Sequence, residues 1–324
     1  MSVLIVTWTG ENSSVSHVTR LLAERGVEVV RLDTDLYPQE LRLSTEYGAG
    51  IERRSRHLDR VEAVWYRRFR AANRLSESLG DTREACYNES RQTLWGTILS
   101  LPCFQLDPLP AVRLADYKEL QTRWALEEGL EVPRTLFSND PDSVRSFYRE
   151  LDGRVVTKMQ SQFAIYRGGE ERVVFTSRVK PEHLDRLSGL EHCPMIFQEL
   201  VERKLELRTT VVGERLFTSA IDASRAPEVD WRRDGVGLID SWEPYELPPA
   251  TAQALLRLVS RFGLNYAAAD FMVTPEGRHV FLEINAAGEW FWLQRIHPIA
   301  EAVAEVLAEP ARRRVKNILP SAGP

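Results

Sequence analysis

Cysteine is scarce in this 324-residue chain: Cys86, Cys103 and Cys193 are odd in number and scattered, with no CxxC pair. That usage argues against a disulfide frame or a thiolate zinc site and fits reduced thiols in the cytoplasm. The six histidines show no ligand spacing either. No apolar run approaches the length of a membrane span, so a membrane is not an expected partner. The opening run Met1-Ser2-Val3-Leu4-Ile5-Val6-Thr7 has neither a basic leader nor a cleavage site and reads as a first strand, not as a signal peptide. Positive charge is not in excess: 42 Lys and Arg against 47 Asp and Glu give a net charge of -5. Without a global positive field to hold a polyanion, nucleic acid is not expected as a partner. The turn after the first strand, Trp8-Thr9-Gly10-Glu11-Asn12, lacks GxGxxG, so a dinucleotide site there is unsupported.

Hydrophobic residues make up 43% and charged residues 27% of the chain, a balance that lets this length bury more than one core; two or three domains are expected. Residues 3–7, an amphipathic stretch over 15–25 ending at Gly26, and the apolar run 27–32 form a β-α-β pattern, which predicts a parallel sheet. A third buried strand over 61–66 runs straight into Arg67-Arg68-Phe69-Arg70, with Arg53, Arg54, Arg56 and Arg60 upstream. These arginines are either a solvated basic face or an anion-binding rim at the crevice where α/β folds hold ligands. A helical pattern over 82–100 ends at Pro102, and the aperiodic segment 104–110 with its two prolines marks a domain boundary. Beyond it the pattern gives a helix over 116–129, a short strand over 132–136, a helix over 143–149 and strands over 154–158 and 172–177. The last part carries strands over 195–201 and 206–212, a loop through Trp231-Arg232-Arg233-Asp234-Gly235, a helix over 249–262, a hairpin and a helix over 298–307.

The hairpin is the most informative segment. Ala267-Ala268-Ala269-Asp270-Phe271-Met272-Val273 and His279-Val280-Phe281-Leu282-Glu283-Ile284-Asn285 flank the turn Thr274-Pro275-Glu276-Gly277-Arg278. If Thr274 pairs with His279, Asp270 falls opposite Glu283, and strand alternation puts Asn285 on the same face as Glu283. Two carboxylates facing each other at roughly 5 Å repel by about 3 kcal/mol at an effective dielectric near 20. A divalent cation removes that conflict, and hard oxygen donors without histidine or thiolate select Mg²⁺ or Mn²⁺. The bland alternative is an exposed edge with chance acids, but Phe271, Phe281, Leu282 and Ile284 argue for mostly buried strands.

Asp270 with Glu283-Ile284-Asn285 resembles the magnesium signature of the ATP-grasp superfamily. The resemblance implies an α/β (α+β) ATP-grasp fold: an N-terminal parallel-sheet pre-ATP-grasp domain over 1–110, a small central domain over 111–194, and a C-terminal domain with the metal site over 195–324. It further implies ATP and Mg²⁺, as two ions, with Asp270, Glu283 and Asn285 as metal ligands. Lys118 and Lys158 are similar to the two phosphate-facing lysines, Gln198-Glu199-Leu200-Val201 to the adenine hinge, Glu206 to the ribose acceptor and Leu282 to an ATP-contacting residue. Arg208 matches an arginine facing the γ-phosphate, so that Arg208 and Lys158 are the implied catalytic residues. The loop over 159–169, with Gly168-Gly169, corresponds to the flap over the triphosphate.

Within the superfamily the chain most resembles the graspetide ligases, which build ω-ester and ω-amide macrocycles as in the microviridins. That resemblance rests on Val64-Trp65-Tyr66-Arg67-Arg68, the Lys118 helix with Pro133-Arg134-Thr135-Leu136, Asp230-Trp231-Arg232 and Gly288-Glu289-Trp290-Phe291-Trp292. The chain departs from the family pattern at Ala286, where a proline is usual, and at Glu289, where glutamine is commoner. The implied partner is a ribosomally made precursor peptide with a leader and an acidic core, handled in the cytoplasm by a homodimer. Side-chain Glu or Asp of that peptide is phosphorylated and attacked by Thr or Ser hydroxyls or Lys amines. Arg67, Arg68, Arg232 and Arg233 are the candidates for gripping the core, and the leader is expected to dock near residues 163–176. The rival enzyme is a RimK-like ATP-grasp ligase that joins free amino acids or glutamate to a peptide or protein terminus; the rival from another class is a catalytically silent leader-binding protein.

Overall fold

The computed structural model describes residues 1–11, 13–48, 51–55, 58, 60–160, 164–167, 170–173, 176–223 and 240–317. The expected β-α-β unit is present. β1 (Ser2–Thr7) is buried along its whole length, as the central strand of a parallel sheet must be. α1 (Ser13–Glu24) buries Val15, Val18, Leu21 and Leu22, a helical stripe, and Gly26 ends it in the left-handed conformation at φ +71. β2 (Glu28–Asp33) follows. A hairpin of β3 (Thr45–Gly48) and β4 (Ile51–Ser55) then leads to β5 (Ala63–Tyr66). α2 (Arg83–Leu99) covers the sheet with Leu94, Trp95 and Ile98. The 104–110 connection is not aperiodic as expected: it supplies β6 (Phe104–Leu106) and the start of α3 (Leu109–Ala115). The sheet order is β2-β1-β5-β6, all parallel.

α4 (Lys118–Glu127) opens the middle of the chain, followed by β7 (Thr135–Ser138), α5 (Pro141–Glu150) and β8 (Val155–Lys158). In place of one strand over 172–177 there are the hairpin β9 (Ala164–Arg167) and β10 (Glu170–Val173), and the short β11 (Ser177–Arg178). After α6 (Pro181–Leu184), β12 (Met195–Glu199) closes a second sheet, ordered β11-β8-β12-β7. Its own core includes Val144, Phe147, Val155 and Phe197.

The third sheet is antiparallel, in the order β15-β14-β13-β16-β17. β13 (Leu205–Val212) turns through Gly213 into β14 (Arg215–Asp222), a strand the sequence pattern did not reveal. β15 (Glu243–Tyr245) and α7 (Pro249–Arg261) precede β16 (Tyr266–Val273) and β17 (His279–Asn285). Alternation sorts the sheet's two faces: Leu207, Val211, Ala267, Ala269, Phe271, Phe281 and Ile284 pack with Leu255, Leu258 and Val259 of α7. Arg208, Asp270 and Glu283 fall on the opposite face. Seven of the ten residues of α8 (Ile299–Ala308) are buried, because it is sandwiched between the parallel sheet and the third sheet in one continuous core with Val3, Ile5, Trp65, Ile221 and Trp290. Among the described residues no helix is long and apolar enough to cross a membrane.

A buried carboxylate adds a polar tie between these sheets. Asp107, just after β6, accepts from the backbone N–H groups of Asn265 and Tyr266 and from Nδ2 of Asn317 at 2.8 to 3.0 Å. Burial, opposed by those hydrogen bonds, pushes its carboxyl up to about 7. In the unfolded chain an aspartate titrates near ~3.9, so between these values the folded state binds more protons than the unfolded one. Its contribution to stability is therefore greatest below the unfolded value, falls as pH rises toward 7, and is flat beyond. Denaturant midpoints measured from pH 4 to 8 should show this decline in the wild type and lose that component in Asp107→Asn; identical pH slopes in the two proteins would contradict it.

Candidate active site

The site face of the third sheet carries a row of charge across three strands. Arg208 on β13 pairs with Asp270 on β16, which pairs with Glu283 on β17. The expected Asp270–Glu283 register is therefore present, but the pairing predicted for the turn is not: Val273, not Thr274, faces His279. The one-residue difference is absorbed by a bulge at Leu282, between the Phe271–Phe281 and Asp270–Glu283 pairs. Leu282 is half-buried and stands outside the α7-facing core.

The sequence-level conflict between the two acids has a different resolution in this structure. Nη1 of Arg208 donates to both carboxylate oxygens of Asp270, at 2.8 and 3.0 Å. Nζ of Lys118 lies 3.2 Å from Oε2 of Glu283. Nδ2 of Asn285 donates to Oε1 of Glu283 at 3.1 Å and lies 3.5 Å from Asp270. Burial works to raise the Glu283 carboxyl, but the charges of Lys118 and Lys158 and the Asn285 hydrogen bond outweigh it and hold it well below the usual carboxylate range. For Arg208, burial works to lower its pKa, and the Asp270 charge reverses the sign and raises it. Glu283 is thus ionised at neutral pH, and Asp270 sits against the Arg208 guanidinium. Their hard oxygens, with the amide of Asn285, fit a divalent cation of the magnesium type. Among the described residues no group of three or more His, Cys, Asp or Glu side chains gathers; the set here is two acids and an amide.

Helix α4 brings Lys118 to this row, and a residue overlooked in the sequence fixes the helix there. The side chain of Gln121, 1% exposed, accepts from the backbone N–H of Ile284 and donates to its carbonyl, each at 2.9 Å. A glutamine one turn after Lys118 and buried on the helix's inner face was the available signal. Lys158 ends β8 and acts on Glu283 through its charge. Gln198 is buried and donates to Oγ1 of Thr135 at 2.9 Å; the N–H of Leu200 donates to the carbonyl of Arg154, also at 2.9 Å. The carboxylate of Glu206 meets Nε of Arg203 at 2.7 Å.

The two neighbouring arginines after β5 differ sharply. Arg68 is exposed enough to meet a ligand, with Nε 2.9 Å from Glu11. Arg67 is 3% exposed and turned inward, donating to the carbonyl of Ala287, to Glu289 and to Oγ of Ser14. This departs from the expectation that both grip a substrate, because the guanidinium of Arg67 is enclosed by the core beneath it. Arg232 and Arg233, the Asp230-Trp231-Arg232 loop, the glycine pair Gly168-Gly169, and the side chains over 163–175 of the expected leader dock lie outside the described residues.

Residues 2–113 match the family model of the MvdD pre-ATP-grasp domain. The whole structure is similar to macrocyclase MdnC of Microcystis aeruginosa MRC, solved bound with precursor peptide MdnA: TM-score 0.86 and 42% identity over 95% of this chain and 99% of that one. It is likewise similar, at TM-score 0.90 and 36% identity over 98% of this chain and 99% of the other, to a RiPP-associated ATP-grasp ligase of Chryseobacterium gregarium, solved with ADP and a leader and core peptide. A third relative, macrocyclase MdnB of Microcystis aeruginosa MRC, has TM-score 0.76 and 33% identity over 95% of this chain and 99% of that one. No curated protein matches the chain.

Proposed function

The chain belongs to the ATP-grasp ligases of the graspetide macrocyclase type, and from that premise we propose that it closes rings in a ribosomal precursor peptide. Its fold is the ATP-grasp fold behind an N-terminal pre-ATP-grasp domain. In the proposed reaction an oxygen of a peptide Glu or Asp carboxylate attacks the γ-phosphorus of ATP, and the bond to ADP breaks. A Thr or Ser hydroxyl or a Lys amine of the same peptide then attacks the acyl carbon, loses its proton and expels phosphate. The observation that carries this reading is the Arg208–Asp270–Glu283 row with Lys118 and Asn285 against it, on a chain that spans the full length of peptide-bound relatives.

In this reading Lys118 and Lys158 hold phosphate oxygens, and Arg208 and Lys158 stabilise the charge that develops on the transferring group. The backbone over 198–201 reads adenine, with Gln198, Glu199, Leu200 and Val201 as the hinge and Leu282 against the ring; Glu206 accepts from the ribose. Asp270, Glu283 and Asn285 would hold Mg²⁺, proposed as two ions, whose bound charge offsets that of the phosphates. For Asn285 to serve, its amide turns so that oxygen faces the acids in place of Nδ2. Arg68, with Arg232 and Arg233, grips the acidic core of the peptide. A homodimer in the cytoplasm completes the proposal.

The test uses the protein with ATP, Mg²⁺ and peptides that pair acidic residues with Thr, Ser or Lys. The expected product has lost one water per bond, with one ADP formed for each. A product that gains a residue's mass supports the RimK-like alternative, and ATP consumption at background with every peptide overturns the proposal.

A further inference from the structure

The loop after Asn285 is bound to three parts of the molecule at once. From the parallel sheet, Arg67 donates to the Ala287 carbonyl at 3.0 Å and to the Glu289 carboxylate, and Arg68 reaches the same carboxylate at 3.3 Å. The other Glu289 oxygen accepts from the backbone N–H groups of Trp290 and Phe291, at 3.0 and 3.1 Å. From the start of β16, the hydroxyl of Tyr266 donates to the Gly288 carbonyl at 2.6 Å. The neighbouring Trp290 is 1% exposed, in the core shared with Val3, Ile5 and Trp65. Burial would raise the Glu289 carboxyl, but Arg67 and the loop N–H groups hold it down, so it remains a charged partner.

The third part is Arg208. Its Nη2 donates to the main-chain carbonyl of Glu289 at 3.1 Å, a contact independent of Asp270, which engages Nη1. Gly288 makes the approach possible: a Cβ there would stand 2.7 Å from that same Nη2 and 2.6 Å from Cβ of Ala268. The guanidinium thus lies in a slot whose floor is Asp270 and whose wall is the backbone of Gly288 and Glu289.

We propose that Glu289, anchored by Arg67, is a positioning residue for Arg208: the ion pair between the buried arginine and the half-buried carboxylate fixes the loop, and the loop's carbonyl fixes the guanidinium. Through Arg67, which does not itself touch substrate, the parallel sheet thereby acts on the reaction. This rests on the reading above that Arg208 faces the transferring phosphoryl group. Glu289→Gln keeps one acceptor oxygen, for Arg67 or for the loop N–H groups but not for both, whereas Glu289→Ala removes both.

The experiment is a kinetic cycle with ATP, Mg²⁺ and a modifiable peptide, alongside thermal melting and ADP affinity by calorimetry. Glu289→Ala is expected to lower kcat roughly tenfold to a hundredfold, with KM for ATP and the ADP affinity within about twofold, and Glu289→Gln to recover part of the loss. In an Arg208→Lys background, Glu289→Ala should cost less than about twofold more, since a misplaced group cannot be misplaced twice. An equal loss in both backgrounds, or none in the wild type, overturns the inference. If Arg208→Lys itself retains full kcat, the phosphoryl role of Arg208 fails instead. Should Glu289→Ala melt below the assay temperature, Gly288→Ala replaces it in the cycle, because it keeps the Arg67–Glu289 pair and crowds Nη2; unchanged kcat there also overturns the inference.

Discussion

Glu283→Gln and Asp270→Asn each reduce ATP-dependent peptide modification by at least on the order of a hundredfold to a thousandfold, a loss comparable to removing a preorganised charge from a phosphoryl-transfer site. Both substitutions preserve shape and remove one negative charge from a row in which each acid has its own cation. Glu283→Gln is the cleaner variant, since Asp270→Asn leaves the buried Arg208 without a counter-charge and is expected to lower the melting temperature as well. Rates of peptide modification and of ADP release, normalised to the folded fraction by circular dichroism, check the expectation. Wild-type turnover in Glu283→Gln sinks the assignment of the hairpin acids.

Arg208→Met is the second large effect: a fall in kcat of about 10²–10³ with little change in KM for the peptide, the pattern of a contact made mainly in the transition state. Lysine at the same position restores charge but not the fork that lets Nη1 and Nη2 serve two partners, so Arg208→Lys falls between. A rise in peptide KM at constant kcat would instead place Arg208 among the residues that bind substrate uniformly.

How far the site could be read from sequence depended on which residues local pattern governs. The facing of Asp270 and Glu283 was read from a turn pairing one residue away from the actual one, and the bulge at Leu282 makes up that residue; the parallel sheet followed from the β-α-β spacing. β14 was hidden because its run Leu216-Phe217-Thr218-Ser219-Ala220-Ile221 is buried almost throughout, leaving no alternation to see. β6 has three residues, too few to carry a period and flanked by prolines. The inward turn of Arg67 was illegible for another reason: its partners Ala287 and Glu289 are more than two hundred residues away, and only packing of α8 between two sheets brings them together. Gly288 and Glu289 looked like family markers shortly after Asn285; that they also cradle Arg208 is a property of three-dimensional closeness.

The bulge in the hairpin has a last consequence. Excise Leu282 in thought, and the pairs on either side, Phe271 with Phe281 and Asp270 with Glu283, become consecutive rungs of an uninterrupted ladder. The acids would keep their neighbours and their orientation. The supernumerary residue is thus a graft: it lets Phe281 and Glu283, two apart in sequence, face opposite sides of the sheet, which strict two-residue periodicity forbids, and leaves the charged row undisturbed.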